Sequence, residues 1–144
     1  MTSDSEQEIS FDSVHDIELP GSQQALRLWI EEMLARESKG YKRISYVFLK
    51  DEELLAMNQT YLQHDTLTDI LTFPYGYDPI ETDIYISYER VADNAQLLQV
   101  PYAQELLRVM AHGVLHMCGY TDHDEQQKKQ MREKEDAAIA NWSN

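Results

Sequence analysis

His112-Gly113-Val114-Leu115-His116-Met117-Cys118-Gly119-Tyr120-Thr121-Asp122-His123 runs from an apolar helical pattern into a break. Two histidines four residues apart on a helix share one face, close enough to grip a single ion. Gly119 can end that helix in a left-handed turn that folds the chain back towards the same face. A third ligand then arrives from Asp122 or His123. Three protein ligands and one open position describe a catalytic zinc site, whereas a structural site closes all four. The bland alternative is two core histidines with satisfied ring nitrogens. The glycine break, the nearby third donor and the absence of any disulfide framework favour the metal.

The identity of the third ligand stays open. Asp122 lies six residues past His116 and His123 seven past it, and zinc accepts carboxylate or imidazole. His123 is slightly favoured because imidazole is the commoner ligand, with Asp122 then supporting from outside. Cys118, two residues past His116, points to the other side of the helix and reads as a packed thiol. Gly113 stands where a His-Glu-x-x-His peptidase carries its general base. Peptide hydrolysis therefore lacks its proton acceptor, and the glycine permits close approach of another backbone or a ligand.

Working outward, Pro101 opens the histidine helix, which is expected to run to about Cys118. Upstream, Tyr88 to Leu98 reads as a shorter helix, and Asp124 to Asn141 as a charged helical tail with Met131, Ala138 and Trp142 touching the core. Ser22 caps a helix through about Lys39, with Leu26, Trp29, Ile30, Met33 and Leu34 as its apolar stripe and Gly40 as its end. Asp51 caps another, bearing Leu54, Leu55, Asn58 and Tyr61. Strands are expected around Ile9–Phe11, from Ile44 to Leu49, from Thr68 to a stop at Pro74, and from Thr82 to Ser87. The predicted class is α+β (mixed α/β): a small four-stranded sheet, mostly parallel or mixed, with helices packed on it and the metal site at the end of a central helix.

A length of 144 residues without repeats or linkers predicts one domain over the whole chain. No apolar run approaches the ~20 residues that cross a bilayer, and the acidic first residues fit neither a signal nor a transit peptide. A single cysteine agrees with a reducing, cytoplasmic setting. The net charge of −14 argues against broad, charge-driven nucleic-acid binding. Between Arg36 and Lys50 the balance reverses locally, with Arg36, Lys39, Lys42, Arg43 and Lys50 against Glu37 alone. That patch can meet phosphates, although a solvated helix end and turn is the favoured account.

At this point the sequence resembles the YbeY family of bacterial endoribonucleases, metal-dependent factors in ribosomal RNA maturation. Its His-Gly-x-Leu-His-Leu-x-Gly-Tyr-Asp-His signature is matched from His112 to Tyr120; the family's third ligand, six residues after the second histidine, falls here on Asp122, and on His123 only if Thr121 is a one-residue insertion. Asn58 through Pro74 is similar to the family's Asn-x-x-Tyr-Arg-x-x-Asp-x-x-Thr-Asp-Val-Leu-Ser-Phe-Pro run, except that Leu62 replaces the arginine. Thr82-Asp83-Ile84-Tyr85-Ile86-Ser87 resembles its Gly-Asp-Ile-x-Ile-Ser strand.

The resemblance implies zinc-dependent hydrolysis of phosphodiesters in single-stranded RNA, at the 3′ end of small-subunit ribosomal RNA. One zinc ion would be held by His112, His116 and His123 or Asp122, and Asp69 or Asp65 would orient the attacking water or ribose hydroxyl. Capping is the simpler role for Asp65. Arg108 or a basic residue of the 36–50 patch would substitute for the absent arginine. His15 and His64 read as exposed loop histidines. The charge implies that the small ribosomal subunit and its proteins present the RNA; neither membrane nor DNA is an expected partner. Two rivals are another zinc hydrolase and a non-catalytic ribosome-assembly factor with a structural metal.

Overall fold

Residues 7–62 and 68–143 are described by the computed structural model. Among them are four strands, β1 (Glu8–Ser13), β2 (Tyr41–Leu49), β3 (Ile70–Tyr77) and β4 (Ile80–Ser87). Five helices accompany them, α1 (Gln23–Arg36), α2 (Asp51–Leu62), α3 (Tyr88–Leu98), α4 (Tyr102–Met117) and α5 (Glu125–Ala140). The sheet order is β1-β2-β4-β3; β1, β2 and β4 run parallel and β3 returns antiparallel along β4. This is the mixed α+β sheet that the sequence predicts. None of the described helices is long and apolar enough to cross a membrane.

Period-two alternation decides which side of the sheet is packed. Ile44, Tyr46 and Phe48 of β2 and Ile84 and Ile86 of β4 are buried, while the residues between them keep partial exposure. α4 is apolar nearly all round, with ten of its sixteen residues buried, as suits a central helix. The Tyr46 hydroxyl donates to the Met110 carbonyl at 2.8 Å and so ties β2 to α4. Trp29 Nε1 donates to the Ala138 carbonyl at 2.8 Å, and its ring meets Trp142 edge-on, which fixes α5 against α1.

Gly113 sets how closely α4 lies on the sheet. A Cβ there would stand 3.0 Å from Ile84 Cδ1 and 3.1 Å from Ile70 Cδ1. The close approach that this glycine permits is therefore to two sheet side chains. Gly113→Ala should gain about 1 kcal/mol of helix propensity and lose about 1–3 kcal/mol to overpacking. Since Ile84 is fully buried and has nowhere to go, we expect a net loss and a lower Tm. An unchanged or raised Tm in a thermal melt would show that the core yields.

Element ends depart from the sequence in three places. β3 continues through Pro74 to Tyr77, because it is an edge strand and its pairing with β4 is irregular between Pro74 and Gly76, where a missing N–H costs little. α1 ends at Arg36, before Gly40: Ser38 takes the left-handed position (φ 57°) while the Lys39 and Ser38 amides donate to Leu34 and Ala35 carbonyls, each at 3.0 Å. Those two bonds offset the ~1 kcal/mol cost of a serine there. Asp51 is the first helical residue of α2 and not its cap; Glu53 reaches back to the Lys50 amide at 2.8 Å.

Candidate active site

α4 brings its functional face to one wall of a cavity. Glu105, Val109 and His112 recur at helical spacing on that wall, so Glu105 stands two turns before His112, with His116 one turn further on. The helix then stops as its glycine requires. Gly119 adopts φ 108°, its amide donates to the His116 carbonyl at 3.0 Å, and the Tyr120 amide donates to the Leu115 carbonyl at 3.1 Å. This paired closure turns the chain back. It brings Asp122 Oδ2 to 3.8 Å from His112 Nε2.

The cavity has a volume of about 430 Å³ and is lined by Asp69, Glu105, Arg108, His112, Asp122 and Glu135 together with Thr68, Ile70 and Val109. Asp69 enters from the start of β3, next to Ile70. Glu135 enters from α5, where Asp124 accepts from the Gln127 amide to cap the helix. Its position is fixed by Met131 and Ala138, the buried residues one turn to either side.

Glu135 is buried and bonded at both oxygens. Oε2 lies 2.8 Å from His112 Nδ1, and Oε1 accepts from Arg108 Nη1 at 3.1 Å. A carboxylate only accepts, so Nδ1 carries the imidazole proton and Nε2 is left with its lone pair towards Asp122. That hydrogen bond raises the His112 pKa against the opposing effect of burial. Burial raises the carboxyl pKa of Asp69 and of Glu105. Burial also pushes the Cys118 thiol up to about 11, which suits a packed thiol.

His112, Asp122, Asp69 and Arg108 thus share one cavity. His116 and His123 are exposed and do not line it; the His123 amide donates to Gln127 Oε1 at 2.9 Å. Among the described residues, no three His, Cys, Asp or Glu side chains are already gathered as an ion's ligands. Asp65 and His64 lie outside the described residues. His15 is tied to Glu53 at 2.8 Å and is not the exposed loop histidine expected. Within the basic patch, Arg43 is held by Asp83 at 2.6 Å and lies over the Tyr75 ring.

Glu105 and Glu135 were not expected from sequence. Their signal lay in the helical stripe: Glu135 stands between Met131 and Ala138, and Glu105 between Tyr102 and Val109, positions otherwise apolar.

A family model described as "Endoribonuclease YbeY" matches residues 9–143. The chain belongs to the endoribonuclease YbeY family. An endoribonuclease YbeY of Flavobacterium psychrophilum is 48% identical over 112 residues, covering 77% of this chain and 80% of that protein. One from Christiangramia forsetii is 42% identical over 134 residues, covering 92% and 93%. A Thermotoga maritima protein solved in solution superposes with a TM-score of 0.63 at 25% identity, covering 92% of this chain and 87% of that one.

Proposed function

We propose that this YbeY-family chain is a zinc-dependent endoribonuclease specific for single strands, with His112, His116 and Asp122 as the ion's ligands. The observation that carries the reading is His112: Glu135 holds its Nδ1, and its Nε2 faces a carboxylate 3.8 Å away beside a cavity of nucleotide-accommodating size. Two imidazoles and a carboxylate suit zinc. His116 and Asp122 are exposed, so core packing does not lock their side-chain torsions. Asp122 is preferred to His123 because it already lines the cavity.

A bound ion there would acidify a water and offset charge on the phosphate. The residues of the chain do the rest. Asp69, desolvated and therefore closer to neutral pH in its titration, accepts the proton of the attacking hydroxyl at its carboxylate. Arg108 holds Glu135 in orientation, since its guanidinium donates to Glu135 at 3.1 Å and to Asp136 at 2.7 Å. Its role is positioning.

The substrate we infer is ribosomal RNA near the 3′ end of the small-subunit transcript, presented by the subunit and its proteins in the cytoplasm. The net charge of −14 supports presentation over unaided capture. Metal analysis of purified variants tests the ligand set. Asp122→Ala is expected to lose bound zinc and cleavage of an unstructured oligonucleotide together, and chelation of the unaltered protein should do the same. His123→Ala should keep both; loss of zinc in that variant alone would reverse the assignment.

A further inference from the structure

Two cations of α5 stand beside the histidine helix. Lys128 and Arg132, one helical turn apart, line a hollow of about 280 Å³ with His112, Asp122, Met131 and Glu135. His112, Asp122 and Glu135 also line the larger cavity, so the two spaces adjoin along those residues. Their charges differ. The larger holds Asp69, Glu105, Asp122 and Glu135, and its one arginine, Arg108, is taken up by Glu135 and Asp136. In the smaller, Arg132 is exposed and belongs to none of the ion pairs among the described residues. Lys128 reaches Glu125 only at 3.9 Å, with both ends largely in solvent.

A polyanionic strand entering the larger cavity meets carboxylates there and uncommitted cations immediately to one side. We propose that Lys128 and Arg132 form a subsite for a phosphodiester flanking the one that is cleaved, an inference that rests on reading the cavity as an RNA-cleaving site. The planar fork of Arg132 suits two phosphate oxygens, and Lys128 adds a mobile point charge. Such local charge lets a chain of net −14 hold a strand in one direction without general affinity for nucleic acid.

The test compares RNA lengths. A dinucleotide has one phosphodiester and leaves the subsite empty while it is cleaved; a pentanucleotide fills it. The zinc-loaded, unaltered protein is expected to show a KM about tenfold lower for the pentanucleotide. Arg132→Ala and Lys128→Ala should each raise that KM severalfold, leave the dinucleotide KM in place, and reduce the slope of log KM against log salt by about 0.7. Arg132→Lys should restore part of the loss. Lys129→Ala, on the same helix but outside the hollow, should change nothing. Zinc content should match in all of them. Equal KM values for the two lengths, or an unaltered salt slope in Arg132→Ala, overturns the subsite alone. Absence of cleavage of either RNA by the zinc-loaded protein overturns the RNA-cleaving reading and the subsite with it.

Discussion

Replacing His116 with alanine is expected to abolish RNA cleavage and leave the fold intact. His116 is exposed at the last turn of α4 and fills no part of the apolar core. Alanine is the better helix former, so the helix itself gains slightly. What goes is one of the two imidazoles proposed to hold the ion. Losing a residue that merely orients a ligand already costs about 10–100-fold in metal affinity or activity, and losing the ligand should exceed that range. Cleavage of a fluorescent single-stranded oligonucleotide would fall below detection while far-ultraviolet circular dichroism and Tm stay near the unaltered values. The competing reading, a structural metal in a non-catalytic assembly factor, demands the reverse: a melted domain, and no cleavage by the unaltered protein. The core clusters from β1 to α5 around α4 as a continuous apolar body, and the exposed His116 lies outside it, which is why we expect the first pattern. Retained cleavage in His116→Ala would remove this histidine from the reaction.

Much of this architecture was readable because it is local. The αL demand at Gly119, the cap at Ser22 and the apolar stripe of α1 depend only on neighbouring residues, and each is found where its pattern lies. α3 spans the expected Tyr88–Leu98. What failed locally was decided at long range. Pro74 looks like a stop unless β3 is known to be an edge strand. Asp51 looks like a cap until Ser87 and Arg90, far along the chain, claim both its oxygens at 2.6 and 2.9 Å. Glu135 in a charged tail reads as solvated, yet α5 turns it inward to meet Arg108 and His112, 27 and 23 residues earlier. Spacing left the choice between Asp122 and His123 open, with His123 slightly favoured for its imidazole. That Asp122 lines the cavity and His123 does not follows from how the turn after Gly119 re-enters the wall, which one residue of offset does not encode.

Asp69→Asn is expected to separate activity from stability. If Asp69 accepts the proton in the chemical step, its amide analogue should lower kcat by about 10²–10⁴-fold, the usual worth of a positioned acid or base. Zinc content should not change, since Asp69 is not among the proposed ligands. The stability effect runs the other way. Burial raises the Asp69 pKa in the folded chain, with the attraction of His112 opposing it. A carboxyl so raised is most favourable to folding while protonated, below its unfolded value of about 3.9, and that contribution is lost as pH climbs through the higher folded value. Asparagine cannot ionise, so it escapes the loss. Melting of the two proteins should therefore show Asp69→Asn more stable at pH 7, with the difference narrowing as pH falls towards about 4. The residue would then be kept for its chemistry at the expense of the fold. A variant that cleaves RNA normally would refute the proton-accepting role, and one that is both inactive and less stable at pH 7 would assign Asp69 to holding β3 in place.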